Sequence, residues 1–288
     1  MTLTVDALLA AARADLAAVG IASPDADAVE LLGFVLGTDA GGVRRMAVLR
    51  TPVGEADVAR LEDLLAERRE RVPLQHLTGR AAFRHLVLAV GPGVFVPRPE
   101  TEVVAGLALE AARAAGDTPL VVDLCTGSGA IALAVKDELP AATVHAVELS
   151  DLAHGWAVAN RDRLGLDVEV LLGDATSAFP ELEGMVDVVV SNPPYIPDGA
   201  VPLDPEVRDH DPEVALYGRS ADGLAVPLAV AARAAVLLRP GGVLVMEHAD
   251  SQGEKLPAGL RATGAWTEVV DHPDLSGRPR ATVAVRAP

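Results

Sequence analysis

Asn192-Pro193-Pro194-Tyr195 directly follows an apolar strand candidate, Val186–Val190. Two prolines cannot continue a central strand, so the chain must leave the sheet there in a rigid, extended turn. That turn sets an amide side chain, a carbonyl of fixed direction and an aromatic ring at a strand's carboxyl end, where open α/β sheets bind ligands. Asn192 carries both donors and an acceptor, whereas Pro193 offers a carbonyl and no N–H. An arriving carboxamide can donate to the Asn192 side-chain oxygen and the Pro193 carbonyl, which would orient its nitrogen toward an electrophilic methyl group. Tyr195 can pack on the planar amide or close the pocket wall. The catalytic candidates are Asn192, Pro193 and Tyr195, and Pro194 completes the acceptor pocket. An amide nitrogen is a poor nucleophile because its lone pair is delocalised. Such a site would work by positioning and by differential stabilisation during transfer, without a metal or a covalent intermediate. The sequence marks no convincing general base, and taken alone the tetrapeptide would also suit a rigid turn.

Upstream, Asp123-Leu-Cys-Thr-Gly-Ser-Gly129 forms a glycine-rich loop after the strand candidate Leu120–Leu124. Gly127 and Gly129 allow a tight turn and close backbone approach to a ligand. The helix that starts immediately afterwards has free amides for the carboxylate of an amino-acid cofactor. The loop lacks the Gly-Lys-Ser/Thr ending of a phosphate loop and the three-glycine spacing of a dinucleotide site. Glu148, just past Thr143–Val147, can accept hydrogen bonds from ribose hydroxyls. Asp174, after Val168–Leu172, can accept from an adenine amino group, and Ala175 leaves space beside the ring. Asp123 reads as an organiser of the loop or a partner for the cofactor's amino group. Cys125 reads as structural, since no neighbouring residue would activate its thiolate. Thr126 and Ser128 complete the cofactor loop. In Phe95-Val-Pro-Arg-Pro-Glu-Thr-Glu102, Thr101 is placed to cap a helix, and Arg98 or Thr101 can supply polar contacts over the cofactor. Glu247-His248 reads as a polar strand end able to support the pocket. The scattered His76, His85 and His210 form no metal motif.

These residues need a scaffold. From residue 120 onward the pattern is strand–loop–helix, which predicts an α/β fold with a mostly parallel sheet and helices on both faces. Leu120–Leu124, Thr143–Val147, Val168–Leu172, Val186–Val190, Val243–Met246, Trp266–Val270 and Ala281–Val285 are its strand candidates. Ala130–Glu138, Leu152–Leu164 and Leu224–Leu238 are helix candidates. The first 72 residues read as a helical bundle: Val5, Leu8, Leu9, Ala12 and Leu16 trace one face, and Ser23-Pro24 and Thr51-Pro52 read as helix starts. Gly37, Gly41 and Gly42 punctuate this region. Ala82–Val90 and Val94–Val96, separated by Gly91-Pro92-Gly93, read as a hairpin. The expected division is a helical domain over 1–78, a β-hairpin linker over 79–99 and a catalytic domain over 100–288.

With 288 residues the chain is long enough for two domains, and its formal charge of −17 opposes broad nucleic-acid backbone binding. Only 3% of residues are aromatic although half are hydrophobic, so Val, Leu and Ala must build the core. The single cysteine excludes an internal disulfide. No stretch reads as a signal peptide or membrane span, and a soluble, cytoplasmic protein is expected.

Across nearly its full length the chain resembles the HemK/PrmC family of protein-glutamine N5-methyltransferases. The resemblance rests on Pro73-Leu-Gln-His-Leu-Thr-Gly79, Val96-Pro-Arg-Pro-Glu-Thr-Glu102, Asp123–Gly129, Asn192-Pro-Pro-Tyr-Ile-Pro197, Arg208–Leu216, Ala221–Leu224 and Glu247-His248. It implies a Rossmann-like class I methyltransferase fold with a seven-stranded sheet. It also implies S-adenosyl-L-methionine as donor, S-adenosyl-L-homocysteine as product and no metal. The implied acceptor is the glutamine of the Gly-Gly-Gln motif in class I peptide chain release factors. By resemblance, Cys125 through Gly129 bind the donor, Glu148 its ribose and Asp174–Ala175 its adenine. Asn192 spans both sites, Asn192–Tyr195 hold the glutamine, and the helical domain recognises the protein substrate. A monomer without a stable nucleic-acid or membrane partner is expected. Cys125 stands where the family usually has glycine, which puts loop geometry and donor affinity in question. Three alternatives stay open: a ribosomal-protein glutamine methyltransferase, a DNA amino-methyltransferase and a noncatalytic interaction module.

Overall fold

The computed structural model describes residues 3–288. The chain divides into two compact units, one running to Arg80 and including Pro202–His210, the other formed by Ala81–Val201 and Asp211–Pro288.

The first unit is helical: α1 (Val5–Ala18), α2 (Pro24–Leu36), α3 (Ala40–Val48), α4 (Glu55–Arg69) and α5 (Leu74–Thr78). Val5, Leu8, Ala12 and Leu16 of α1 are buried at the expected helical spacing, together with Leu31, Leu32 and Val35 of α2 and Leu61 and Leu65 of α4. Pro24 does open α2, although the Ser23 side chain makes no capping bond. Thr51-Pro52 opens no helix. Val5 N donates to Thr51 O at 3.0 Å and Pro52 pairs with Thr4, so this stretch is tied to the start of α1 and α4 begins at Glu55. Gly41 and Gly42 interrupt nothing either, because they form the first turn of α3. Asp39 caps that turn through Gly42 N at 2.7 Å, and a Cβ on Gly42 would lie 2.0 Å from the Thr38 hydroxyl oxygen.

The second unit opens with a hairpin, β1 (Arg80–Phe83) and β2 (Leu86–Ala89), followed by α6 (Pro99–Ala115). The hairpin turns at Arg84-His85, with Arg84 at φ +51°, rather than at Gly91-Pro92-Gly93, and Val94–Val96 is no strand. Gly91 serves packing instead: a Cβ there would lie 2.6 Å from the Trp156 ring. Then follow β3 (Leu120–Leu124), α7 (Ala130–Glu138), β4 (Thr143–Glu148), α8 (Asp151–Leu164), β5 (Glu169–Leu172) and β6 (Val186–Ser191). After β6 the chain contributes α9 (Pro205–His210) to the helical unit. It returns for α10 (Ala225–Leu237), β7 (Leu238–Glu247), α11 (Lys255–Ala262), β8 (Trp266–Pro273) and β9 (Pro279–Arg286).

The large sheet has seven strands in the order β5-β4-β3-β6-β7-β9-β8. It is mixed and mostly parallel: β9 alone runs against its neighbours β7 and β8. Alternate strand residues feed two cores, Val121, Val144, Val188 and Val245 on one face and Val122, Val147, Val189 and Leu244 on the other. Chain order reverses between β3 and β6, so their carboxyl ends flank the sheet's switch point.

The excursion through α9 ends in the helical unit at a buried ionic cluster. Arg68 Nε meets Asp27 Oδ2 at 2.7 Å, Arg68 Nη2 meets Glu206 Oε1 at 2.8 Å, and Arg71 Nη2 meets Glu206 Oε2 at 2.7 Å. Burial alone would raise the Glu206 pKa, but its bonds with Asp204, Arg71 and Arg68 hold it down to about 2.

Candidate functional site

Leu124 and Ser191 are partners in the parallel β3–β6 ladder, so the glycine loop and the Asn-Pro-Pro-Tyr loop leave the sheet side by side. In the first loop, Cys125 N and Thr126 N both donate to Val147 O, at 3.1 and 3.0 Å, which folds the chain over the end of β4. Cys125 lies at φ +70°, Gly127 at +59° and Gly129 at +84°. A Cβ on Gly129 would come within 2.9 Å of Leu133, whereas one on Gly127 would meet nothing. The open space beside Gly127 is therefore available to a ligand.

Asp123 is fully buried beneath this loop. Its Oδ2 accepts from the Thr126 hydroxyl at 2.6 Å and from Ala132 N at 3.1 Å, while its Oδ1 has no partner among the described residues. Burial raises its pKa to about 7, against the pull of Thr126 and Ala132. An ammonium group is the chemistry that would satisfy this orphaned oxygen. The donor set thus fits the amino-acid end of S-adenosyl-L-methionine. Burial, with the negative charges of Glu148 and Asp123, pushes the Cys125 thiol well above its ordinary range, so the sulfur stays protonated and is no nucleophile.

Glu148 ends β4 rather than following it. Its Oε2 accepts from Gly127 N at 2.8 Å and its Oε1 from Ser150 N at 2.9 Å, so the carboxylate braces the glycine loop. Each oxygen retains a second lone pair for a hydroxyl donor. Asp174 is exposed after β5, its Oδ1 accepting from the Thr176 hydroxyl and amide at 2.7 and 2.8 Å, contacts that lower its pKa. Ala175 is buried beside it. Leu149 and Leu172, 52% and 44% exposed, put apolar surface next to these acids. Ser128 is buried, and its carbonyl accepts from Asn160 Nδ2 at 3.0 Å. The same Asn160 amide bonds both backbone groups of Ala89, tying the hairpin to the glycine loop. No motif reveals Asn160, because the partners that join it to the hairpin and the glycine loop are distant in sequence.

On the acceptor side, Asn192 Nδ2 donates to Thr101 Oγ1 at 3.4 Å. Thr101 caps no helix: α6 starts at Pro99 after Arg98, and Thr101 is buried in its first turn against Asn192. Arg98 is engaged with Asp211 Oδ2 at 2.7 Å and stacks over Phe95. Pro193 is buried and Pro194 half-buried. The Tyr195 hydroxyl donates to Glu247 Oε1 at 3.2 Å. Tyr195 O accepts from Gln252 Nε2 at 2.9 Å, a donor shared with Asp222 O at 2.8 Å, while Gln252 Oε1 accepts from Ala249 N at 2.9 Å. Ile196 then pairs with the chain at Leu216–Gly218, and Gly223 lies so close that a Cβ there would fall 2.1 Å from Tyr195 O. The turn that two prolines suggest is thus clamped from behind by Gln252 and Gly223. Among the described residues no group of His, Cys, Asp or Glu is arranged to hold a metal ion, and no helix is long and apolar enough to cross a membrane.

Two family models match: a PrmC N-terminal domain over residues 7–79 and a methyltransferase small domain over residues 89–204. A release factor glutamine methyltransferase from Streptomyces coelicolor is 50% identical over 281 residues, covering 97% of each chain. One from Mycolicibacterium smegmatis is 48% identical over 278 residues, covering 96% of this chain and 95% of its own. Among solved structures, a methyltransferase from Pyrococcus furiosus aligns with a TM-score of 0.50 and 15% identity over 70% of this chain and 89% of its own, a likeness of fold alone.

Proposed function

The chain belongs to the PrmC family of release factor glutamine methyltransferases, and we propose that it methylates the side-chain N5 of the Gly-Gly-Gln glutamine in class I peptide chain release factors. The observation that carries this reading is the Leu124–Ser191 pairing, which brings a donor loop and an amide-binding loop together at the sheet's switch point. The strand order, with β9 reversed, suits a Rossmann-like class I methyltransferase. S-adenosyl-L-methionine, when bound, supplies an electrophilic methyl group on sulfur. In this reading Asp123 receives the donor's ammonium and Cys125–Gly129 surround its amino-acid end. Glu148 takes the ribose hydroxyls, and Asp174 with Ala175 borders the adenine beside Leu149 and Leu172.

Asn192 Oδ1 and Pro193 O accept the two N–H groups of the incoming carboxamide and fix its nitrogen in line with the methyl group, while Tyr195 walls the pocket. No protein bond is made or broken, so the rate advantage comes from alignment and from hydrogen bonds that favour a pyramidal nitrogen. The products are the N5-methylated glutamine, S-adenosyl-L-homocysteine and the proton that the amide nitrogen loses to solvent after methyl attack, and no metal takes part. A division of labour in which residues 1–78 recognise the protein substrate, 79–99 link and 100–288 catalyse suits this reading, with the segment Pro202–His210 joining the helical unit. We place the enzyme in the cytoplasm as a monomer without a stable nucleic-acid partner, as its charge of −17 favours.

Incubation with labelled donor and purified release factors, followed by peptide mass analysis, tests the assignment. Label on the Gly-Gly-Gln glutamine is expected. Label confined to a ribosomal protein or to DNA would reject the proposed acceptor.

A further inference from the structure

The reaction needs Asn192 to present its oxygen, not its NH2 group, to the incoming amide, and the two ends of that side chain differ little in shape. Its orientation has to be imposed from behind. The group behind it is Thr101, whose oxygen lies 3.4 Å from Asn192 Nδ2. A threonine hydroxyl can donate or accept, so Thr101 alone would tolerate either amide orientation. Glu247, at the end of β7 and 2% exposed, is the buried group that bears on that choice. Its Oε1 is occupied by the Tyr195 hydroxyl at 3.2 Å, and its buried Oε2 makes no hydrogen bond of ordinary geometry. The Thr101 hydroxyl is near enough to stabilise this carboxylate. Were that hydroxyl proton turned toward the orphaned Oε2 of Glu247, Thr101 could only accept from Asn192. Nδ2 would then face Thr101 and Oδ1 the acceptor.

We propose that Glu247 is a positioning residue for glutamine methylation: through Thr101 it sets the direction of the Asn192 amide, and through the Tyr195 hydroxyl it fixes the opposite wall of the pocket. The inference rests on the glutamine reading of the site. It applies to the ionised carboxylate, because a protonated Glu247 would hold its own proton between the hydroxyls and free Thr101 to donate to Asn192. Burial raises the Glu247 pKa to about 7, opposed by Thr101, Arg280 of β9 and Tyr195 and reinforced by Glu100 of α6. The Tyr195 phenol stays protonated throughout, its pKa raised chiefly by burial.

Three variants of the full chain, Thr101→Ser, Thr101→Val and Glu247→Gln, test the relay with labelled S-adenosyl-L-methionine and a purified release factor. Thr101→Ser keeps the hydroxyl and should retain kcat within about 3-fold. Thr101→Val is isosteric without it, and Glu247→Gln can donate where a pure acceptor is needed. Both should lose kcat by about 30-fold, the scale of one misdirected buried hydrogen bond, with donor affinity unchanged by calorimetry. The wild-type kcat should rise through pH 7, and that limb should vanish in Glu247→Gln. Wild-type kcat in Thr101→Val, an equal loss in Thr101→Ser, or a limb that persists in Glu247→Gln would overturn the relay. A wild-type enzyme that binds donor yet leaves the glutamine unlabelled would overturn the functional reading beneath it as well.

Discussion

Replacing Gln252 by Met keeps the volume of a buried side chain and deletes its three hydrogen bonds. The Gln252 amide serves Tyr195 O and Asp222 O through Nε2 and Ala249 N through Oε1. Asp222 is at the surface, so its carbonyl can turn to water. Tyr195 and Ala249 are half-buried, so Tyr195 O and Ala249 N are less free to turn to water, and each unsatisfied buried group costs about 1–3 kcal/mol. The expected destabilisation is about 3 kcal/mol after partial relaxation. None of the three bonds touches the glycine loop, so donor affinity measured by calorimetry should stay at the wild-type value. kcat/KM for the release factor should fall at least ~10-fold, because the acceptor loop loses its rear support. Gln252→Glu is a sharper companion: it keeps the Ala249 contact but points a carboxylate at two carbonyls, and it should be worse than Met. Denaturant unfolding and steady-state kinetics read both effects. A Met variant with wild-type stability and wild-type kinetics would refute the claim that this amide holds the loop in place.

Glu206→Ala strips buried Arg68 of a partner and should cost the helical unit ~3 kcal/mol in chemical unfolding. Since folding lowers the Glu206 pKa from 4.5 to about 2, its contribution is complete above pH 4.5 and disappears as pH falls toward 2, and an acid titration of the alanine variant should show that loss removed. At φ +70°, Cys125→Gly should be tolerated with donor binding equal or tighter, whereas Cys125→Val puts a β-branched residue in left-handed backbone and should weaken donor binding about 10-fold or more in calorimetry. Asp123, with a pKa raised from 3.8 to about 7, favours the folded state below pH 3.8 and loses that contribution as pH rises through 7; Asp123→Asn should therefore stabilise the free protein above pH 7 in thermal unfolding. The same variant should weaken donor binding, and the wild-type enzyme at pH 6 should release a proton on binding donor, measured by calorimetry in buffers of different ionisation enthalpy.

What local pattern could reveal, it did. Leu120–Leu124 and Ala130–Glu138 are visible because an apolar run stops at a glycine loop and a helical period begins after it, and both match the structure residue for residue. The reading erred where a strong local signal met a stronger tertiary one. Gly91-Pro92-Gly93 looks like a hairpin turn, yet the Trp156 ring occupies that bend and Arg84 turns the hairpin instead. Val243–Met246 is only the apolar end of a longer strand: β7 runs from Leu238 through Pro240-Gly241-Gly242, with its register against β6 shifting between Val186 and Val188. The two candidate loops, which the structure places side by side, were legible because tight turns and close backbone approach favour glycine and proline. Gln252, Asn160 and the Thr101–Asn192 contact were not. The partners through which they join separate loops lie 30 to 91 positions away, and hydrogen bonding across such spans leaves no periodic trace.

Because α9 is borrowed from the stretch between β6 and α10, the helical unit is not a contiguous gene segment. A deletion that begins translation at Ala81 would leave Glu206 without Arg68 and Arg71, and would strand the stretch of chain that follows Asn192-Pro193-Pro194-Tyr195. A chimaera that exchanges the helical unit between relatives must carry two inserts, not one. Freeing one unit from the other therefore takes three cuts in the chain, after Arg80, Val201 and His210.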